Sequence, residues 1–472
     1  MTAVEFESTP RAAFLFALLN AITMISFVFG GIVPAAPNEF QVFIQRTLNI
    51  PPDKSSFYLG VLETAFVGTY CLSSILVGFY SKTIRPFRFM SYGLVLWVAS
   101  AVLCGVARTA DSFHVLCAGR MLNGIAESTF RVLTLPLIER ITPESKRSLW
   151  MGLYYGGIAI GCGIAYFYGS FTAQFLGWDW SFYLCAIVMT PLIYVCHACV
   201  PPSVDVPFAA KDNDEPTSIA TDLGHVLRSP IFVTSAVGIA AIHFSLQSMI
   251  TFVPAIFIGL RLFDETWSST IYGAIVVLTG AIGSPLGGIV LDRACVGHSN
   301  DESFRTLVAC RQRLVFLLGC VVVGALTPLV MQPNHAGWFT LCMSLSCICV
   351  FATFGSTSIA ILLSVPTHYR GLASGLALTI QNLLGNVPGP VSLGLVKTAL
   401  APGCGSVVGD DNKDHVFPEC FEEHNQHGLR MMWLIMILWM AWAFAFWPIA
   451  YILAQRQVKA SNNAADFIEL HE

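Results

Sequence analysis

The sequence predicts an all-α membrane protein of twelve transmembrane helices arranged as two six-helix halves. Three observations carry that expectation. Of its 472 residues, 55% are hydrophobic and only 11% charged, and the mean hydropathy is +0.67, a composition of the membrane class. Twelve separate stretches reach the roughly 20 mostly apolar residues that a helix needs to cross a bilayer. A polar, Pro- and Asp-rich stretch at 201–229 falls between the sixth and the seventh of them.

In chain order the expected spans are 12–34, 57–80, 88–107, 113–138, 149–172, 181–200, 230–258, 269–291, 314–331, 338–363, 371–397 and 431–454. The domain reading follows from them. Residues 1–200 form an N-terminal half, 201–229 a flexible cytoplasmic linker, 230–455 a C-terminal half, and 456–472 a short polar, mobile tail. Arg11 precedes an apolar stretch too long for a signal-peptide core, so the first helix is expected to stay. An even number of spans puts both termini on one side. With cytoplasmic termini, 16 Lys and Arg fall inside against 7 outside, which is the positive-inside bias.

Most of the 15 cysteines lie inside apolar runs, where a thiol acts as a small hydrophobe. No CxxC…CxxC metal pattern appears, and Cys196–Cys199 and Cys347–Cys349 are isolated in apolar runs. Cys404 and Cys420 share the polar 398–430 loop, and whether they are bridged is open at this stage. His415, His424 and His427 in the same loop read as solvated residues rather than metal ligands. A net charge of −4 is too small to imply a nucleic-acid partner. With no HExxH, no GxSxG and no His/Asp cluster, the chain offers no recognisable nucleophile or metal site. No enzyme activity and no cofactor are expected.

The fourth span is the exception to this apolar pattern. It is long enough to cross a membrane, yet it carries Arg120, Glu127 and Arg131. A charge at mid-membrane costs about 2.5–3.5 kcal/mol on insertion scales, so such residues face protein or water. Seven residues separate Arg120 from Glu127, nearly two helical turns, and Arg131 follows Glu127 at ion-pair spacing. The expectation is a net-positive Arg–Glu–Arg stripe at the centre of a carrier. Arg131 is equally open to structural pairing with Glu127 or Glu139. Glu63 in the second span is a further intramembrane carboxylate. His243 and Gln247, one turn apart in the seventh span, and Asn386, just before Val387-Pro388-Gly389-Pro390, are candidate cavity residues. The two prolines must interrupt the eleventh helix, and such breaks tend to line cavities.

Local motifs narrow the reading. After the eighth span, Gly287-Gly288-Ile289-Val290-Leu291-Asp292-Arg293 resembles the G-x-x-x-D-R turn of the major facilitator superfamily. The resemblance makes Asp292 and Arg293 candidates for a conformational latch. The corresponding turn after the second span, Gly78-Phe79-Tyr80-Ser81-Lys82, keeps the glycine and lacks the acid, so the first-half latch should be weaker or built differently.

Gly119-Arg120 with Asn123-Gly124-Ile125-Ala126-Glu127-Ser128 is similar to a fourth-helix segment of the Spinster lipid transporters. So are Tyr154-Tyr155 with Gly157, Gly161, Gly163 and Tyr166 in the fifth span, and Tyr272-Gly273 through Leu278-Thr279-Gly280 in the eighth. Val365-Pro366-Thr367, Arg370 and Leu383-Leu384-Gly385-Asn386 resemble that family around the eleventh. The resemblance implies the major facilitator fold and alternating access about a midplane site. It implies a lysophospholipid or sphingolipid-like substrate, with Arg120 as headgroup ligand or partner of a proton-responsive Glu127. It also implies proton coupling, but the charged pair usual in the family's first helix is replaced by Ile25 and Ser26, while Glu63 stands where a Gln is common. Glu63 then replaces part of the lost function, or coupling has been abandoned. A small organic anion carrier and a transport-dead lipid sensor or scaffold are the rival readings. A monomer in an endolysosomal or plasma membrane is expected.

Overall fold

The computed structural model describes residues 10–209, 218–298, 300–404, 406–408, 414–416 and 418–469. Twelve long helices follow one another among them. They are α1 (Pro10–Gly30), α2 (Pro52–Tyr80), α3 (Pro86–Thr109), α4 (Phe113–Ile141), α5 (Arg147–Phe175) and α6 (Trp178–Tyr194), then α7 (Pro230–Gly259), α8 (Glu265–Ala294), α9 (Glu302–Leu326) and α10 (Ala336–Leu363). The eleventh, α11, runs through Arg370–Gln381, a π turn at Asn382–Asn386 and Pro388–Leu400. The last, α12, joins Glu423–Trp439 to Ala443–Glu469 through a 3-10 turn. Ten long helices carry a window apolar enough to cross a membrane; the exceptions are α4, with its charges, and the interrupted α11. Several helices, α2, α3 and α7 among them, open on a proline at the first turn, where a missing N–H costs nothing.

Helix ends reach beyond the apolar windows. α9 starts twelve residues before its expected span, because the Asp301 side chain accepts from the Phe304 amide at 2.9 Å and caps it. Its first turns carry Arg305, Arg311 and Arg313, which an apolar count excludes. The C-terminal tail, expected to be mobile, continues α12 as a helix to Glu469; residues 470–472 lie outside the described residues.

Cα packing divides the chain into two compact units. One holds Met1–Arg228 with Val365–Thr379, the other Ser229–Ser364 with Ile380–Glu472. The boundary in α11 therefore falls near its π turn. In the first unit, Phe29 packs on Trp97 and Phe182, with ring centroids 4.7 and 5.2 Å apart. α11 enters this unit along α2 at near backbone contact. A Cβ on Gly78 would sit 2.8 Å from the Leu372 Cα, and one on Gly375 would sit 2.3 Å from the Ser74 carbonyl oxygen. In the second unit, Trp433 donates to the Thr327 hydroxyl at 2.6 Å. Cys404 and Cys420 form a disulfide there. It closes a loop holding the two-stranded hairpin of β1 (Ser406–Val408) and β2 (Asp414–Val416), antiparallel with Val407 opposite His415.

The linker departs from the expected flexible segment wherever it is described; residues 210–217 lie outside the described residues. Asp205 accepts from the Phe87 amide at 2.8 Å and so caps α3. Arg140 donates to the Val206 and Pro207 carbonyls at 2.6 and 3.1 Å and lies over the Phe208 ring. A short helix, Ile219–Leu227, carries Asp222, which is 1% exposed. Its carboxylate meets Lys82 Nζ at 2.5 Å, 140 residues away in sequence. The acid missing from the Gly78–Lys82 turn is thus matched by one from the linker, and the turn's own residue is the cation. Composition misled here because a polar segment can be held by buried charges as firmly as by apolar contacts.

Removing one member of a buried ion pair leaves the other uncompensated, at a cost of about 3–5 kcal/mol. Asp222→Ala should therefore lower the thermal midpoint of the detergent-solubilised protein, and the double variant Lys82→Met with Asp222→Leu should recover most of the loss. A single variant as stable as the parent would show that this contact does not hold the linker.

Candidate functional site

α4 meets α2 through a glycine. A Cβ on Gly124 would lie 2.4 Å from the Phe66 carbonyl oxygen, so only glycine lets the two backbones approach this closely. At the same level Thr69 donates to the Met121 carbonyl at 2.9 Å. On its other side α4 reaches α3, where Asn123 donates to Ser100 at 3.2 Å. These contacts fix which way the charged side chains of α4 leave the helix.

Arg120 Nη2 donates to Glu63 Oε2 at 2.8 Å, and its guanidinium lies 4.8 Å from the Phe66 ring centroid. The arginine side chain is 2% exposed and the glutamate 60%. Arg120 Nε and Nη1 are buried without a hydrogen-bond partner among the described residues. One turn beyond Glu127, Arg131 Nη1 donates to Glu127 Oε1 at 2.9 Å. Its guanidinium lies 4.4 Å from the Phe27 ring centroid and 5.4 Å from that of Tyr70, contacts of the cation–π kind. Both Arg120 and Arg131 act electrostatically on Glu127, as does Glu63.

The expected net-positive stripe is thereby corrected. Four groups stand in two ion pairs, Glu63–Arg120 and Glu127–Arg131, and their formal charges cancel. Helical phase does put Arg120 in line with Glu127, but α2 brings a second carboxylate against Arg120, and no spacing within α4 can report that. Of the pairings open to Arg131, the one with Glu127 is formed. Glu139 instead bridges Arg147 Nη1 at 3.2 Å and Arg370 Nη1 at 2.8 Å, joining the ends of α4, α5 and α11 within the first unit.

Sequence reasoning missed Tyr70 and Phe27 beside Arg131, and Glu139 as a three-helix joint. Tyr70 had a usable signal, because it follows Glu63 by seven residues and shares its face of α2.

The remaining candidates lie in the second unit. His243 Nδ1 is 3.0 Å from the Ile239 carbonyl oxygen, and its ring stacks on Phe354 at 5.4 Å. The π turn of α11 seats Gly385 against α7, where a Cβ would lie 3.1 Å from the His243 Cβ and 2.6 Å from the Ala240 carbonyl oxygen. Asn386 donates to the Asn382 side chain at 3.0 Å. The turn thus gathers Asn382 and Asn386 next to His243, and Gln247 lies one turn further along α7, half-buried. Asp292 of the G-x-x-x-D-R turn pairs with buried Arg305 in the first turn of α9 at 2.8 Å, whereas Arg293 is exposed. Among the described residues no group of three or more His, Cys, Asp or Glu is placed to hold a metal ion.

A family model described as Major Facilitator Superfamily matches residues 12–390. The chain belongs to the Major Facilitator Superfamily. Its members in the comparison are transporters, and this chain is a multi-pass membrane transporter of that fold rather than an enzyme. Within the superfamily it is similar to "Probable sphingolipid transporter spinster homolog 1" of Arabidopsis thaliana, 27% identical over 71% of this chain and 70% of that protein. It is 24% identical to "Protein spinster homolog 1" of Homo sapiens, over 83% and 74%. It is 22% identical to "Sphingosine-1-phosphate transporter SPNS2" of Danio rerio, over 72% and 69%. Among solved structures, the superfamily transporter FucP in an outward conformation superposes with a TM-score of 0.65 at 13% identity, covering 93% of this chain and 99% of that one. An inward-facing bacterial homologue of the human lysosomal transporter Spinster superposes with a TM-score of 0.60 at 18% identity, over 95% and 98%. At these identities the structures establish the fold alone.

The buried pair on α4 gives a stability prediction. Arg131→Met strands the Glu127 carboxylate and should cost about 3 kcal/mol or more. Arg131→Met combined with Glu127→Leu should restore at least half of the lost thermal midpoint. Equal losses in single and double variants would mean that the arginine acts through its ring contacts and not through charge.

Proposed function

We propose that this superfamily transporter moves a single-tailed anionic lipid, a lysophospholipid or a sphingoid phosphate, by alternating access of its two halves. The observation that carries this reading is Arg120, a guanidinium buried in an apolar span, with a carboxylate on Nη2 and with Nε and Nη1 unpaired among the described residues. Intramembrane charges mark transport pathways more often than they brace packing, and guanidinium donors match phosphate oxygens in pairs. Partly exposed aromatic residues beside the charges, Phe27 and Phe66, offer apolar surface to a chain attached to such a headgroup. The printed names of the spinster relatives, which specify sphingolipid and sphingosine 1-phosphate, support the same substrate class.

In this reading Arg120 and Arg131 serve the headgroup and Glu127 is the proton-responsive carboxylate, while His243, Gln247 and Asn386 are the candidate substrate residues of the second unit. Asp292 with Arg305, and Glu139 with Arg147 and Arg370, are the contacts that would break and re-form between states. Cytoplasmic termini are supported by the basic bias and by the Cys404–Cys420 bridge in a loop on the opposite side, where oxidation is favoured. An endolysosomal or plasma membrane and a monomeric carrier complete the assignment.

Flux of sphingosine 1-phosphate and of lysophosphatidic acid into proteoliposomes tests it, with a pH gradient imposed or absent. Arg120→Ala should reduce flux at least tenfold, and Glu127→Gln should remove the response to the gradient. Wild-type flux in both variants would overturn the assignment of the centre. Binding of lipid without flux in the parent protein would point to a sensor, and competition by short carboxylates alone would point to a small-anion carrier.

A further inference from the structure

The two members of the Glu63–Arg120 pair are held very differently. The arginine is fixed: its side chain is 2% exposed, the Phe66 ring covers it at 4.8 Å, and Gly124 locks its helix against α2. The glutamate is 60% exposed and reaches the arginine through one hydrogen bond, to Nη2. Around it α2 presents exposed Gly60, Thr64 and Gly68, and a Cβ on either glycine would meet nothing within 4 Å. The carboxylate therefore has room to leave, whereas the guanidinium does not. Meanwhile Arg120 Nε and Nη1 remain without a partner among the described residues.

We infer that Glu63 is a displaceable internal counterion, a carboxylate that occupies the anion position on Arg120 until the anionic headgroup of a substrate takes it. The inference rests on the reading of Arg120 as the headgroup ligand and adds the step by which that ligand becomes available.

The charge count favours such an exchange. With Glu63, Arg120, Glu127 and Arg131 in contact the cluster is formally neutral. A phosphate added to it intact would leave uncompensated negative charge in an apolar span, which is costly. When Glu63 swings to its exposed side, the phosphate replaces one carboxylate contact with as many as two parallel N–H···O contacts to the same guanidinium. No covalent bond is made or broken. The exchange favours anionic over uncharged headgroups, because an uncharged one gains nothing by displacing a carboxylate. Glu63 thereby sets specificity: it keeps Arg120 neutralised at rest and raises the affinity that an anion must have to bind.

Equilibrium binding to the purified full chain in detergent tests the exchange, using the parent, Glu63→Gln and Glu63→Asp. The probes are sphingosine 1-phosphate, an uncharged monoacylglycerol of the same chain length, and butyl phosphate. Glu63→Gln should tighten sphingosine 1-phosphate about three- to fivefold, the scale of a partly exposed ion pair, and leave the monoacylglycerol unchanged. The shorter Glu63→Asp should tighten the anion in the same direction, which keeps the test informative if the glutamine variant is poorly folded. Weaker or unchanged anionic-lipid binding in both variants would overturn the exchange while leaving the lipid reading in place. Tighter butyl phosphate with no lipid binding would uphold the exchange and remove the lipid reading. Absence of binding of every anion to all three proteins would overturn both.

Discussion

The first unit is organised by one requirement: two arginines of α4, Arg120 buried and Arg131 partly so, must be neutralised inside an apolar bundle. Moving an unpaired guanidinium out of water is costly enough to threaten a fold of marginal stability. The chain answers with a carboxylate one turn away, Glu127, and a carboxylate from a neighbouring helix, Glu63. Each answer demands further geometry. Glu63 reaches Arg120 only because Gly124 lets α2 and α4 approach at backbone contact. Arg131 is held in place by the faces of Phe27 and Tyr70 from α1 and α2. The glycines and aromatic residues near the charges are the means by which the charges are tolerated.

The same principle recurs at the helix ends and there governs connectivity. Glu139 satisfies Arg147 and Arg370 and draws the start of α11 into the first unit. Lys82 takes Asp222 from the linker, and Asp292 takes Arg305 from the next helix. Each of these turns thus closes on a charge from elsewhere in the chain. His225 stacks on Tyr369, so the linker helix also touches the segment leading into α11. A carrier that cycles between states needs contacts strong enough to define each state and few enough to break. Paired charges at helix ends meet that need better than continuous apolar packing, because they are local and all-or-none.

Much of the fold was legible before any coordinates. Apolar length located twelve helices, since a bilayer imposes one span length on every segment, and the prolines at 388 and 390 marked the break in α11. Where legibility failed, the cause was a charge. α9 was cut short because Arg305, Arg311 and Arg313 look wrong for a span, although Asp301 caps a helix that contains them. The linker looked flexible because it is polar, although Asp205 and Asp222 bury in the first unit. The candidate site divides the same way. Spacing alone gave Glu127–Arg131, because an i, i+4 contact lies within one helix. It could not give Glu63–Arg120 or Asp292–Arg305.

What the sequence determined by itself is therefore the class of molecule, the order of its helices and the identity of the costly residues. Those follow from transfer free energies and helical phase, which act residue by residue or within a single turn. Only the tertiary structure decided how the costly residues are compensated: which acid meets Arg120, what holds Lys82, and that the cluster on α4 is neutral rather than cationic. Coulomb energy depends on separation in space, and residues 57 or 140 positions apart acquire a separation only when their helices pack.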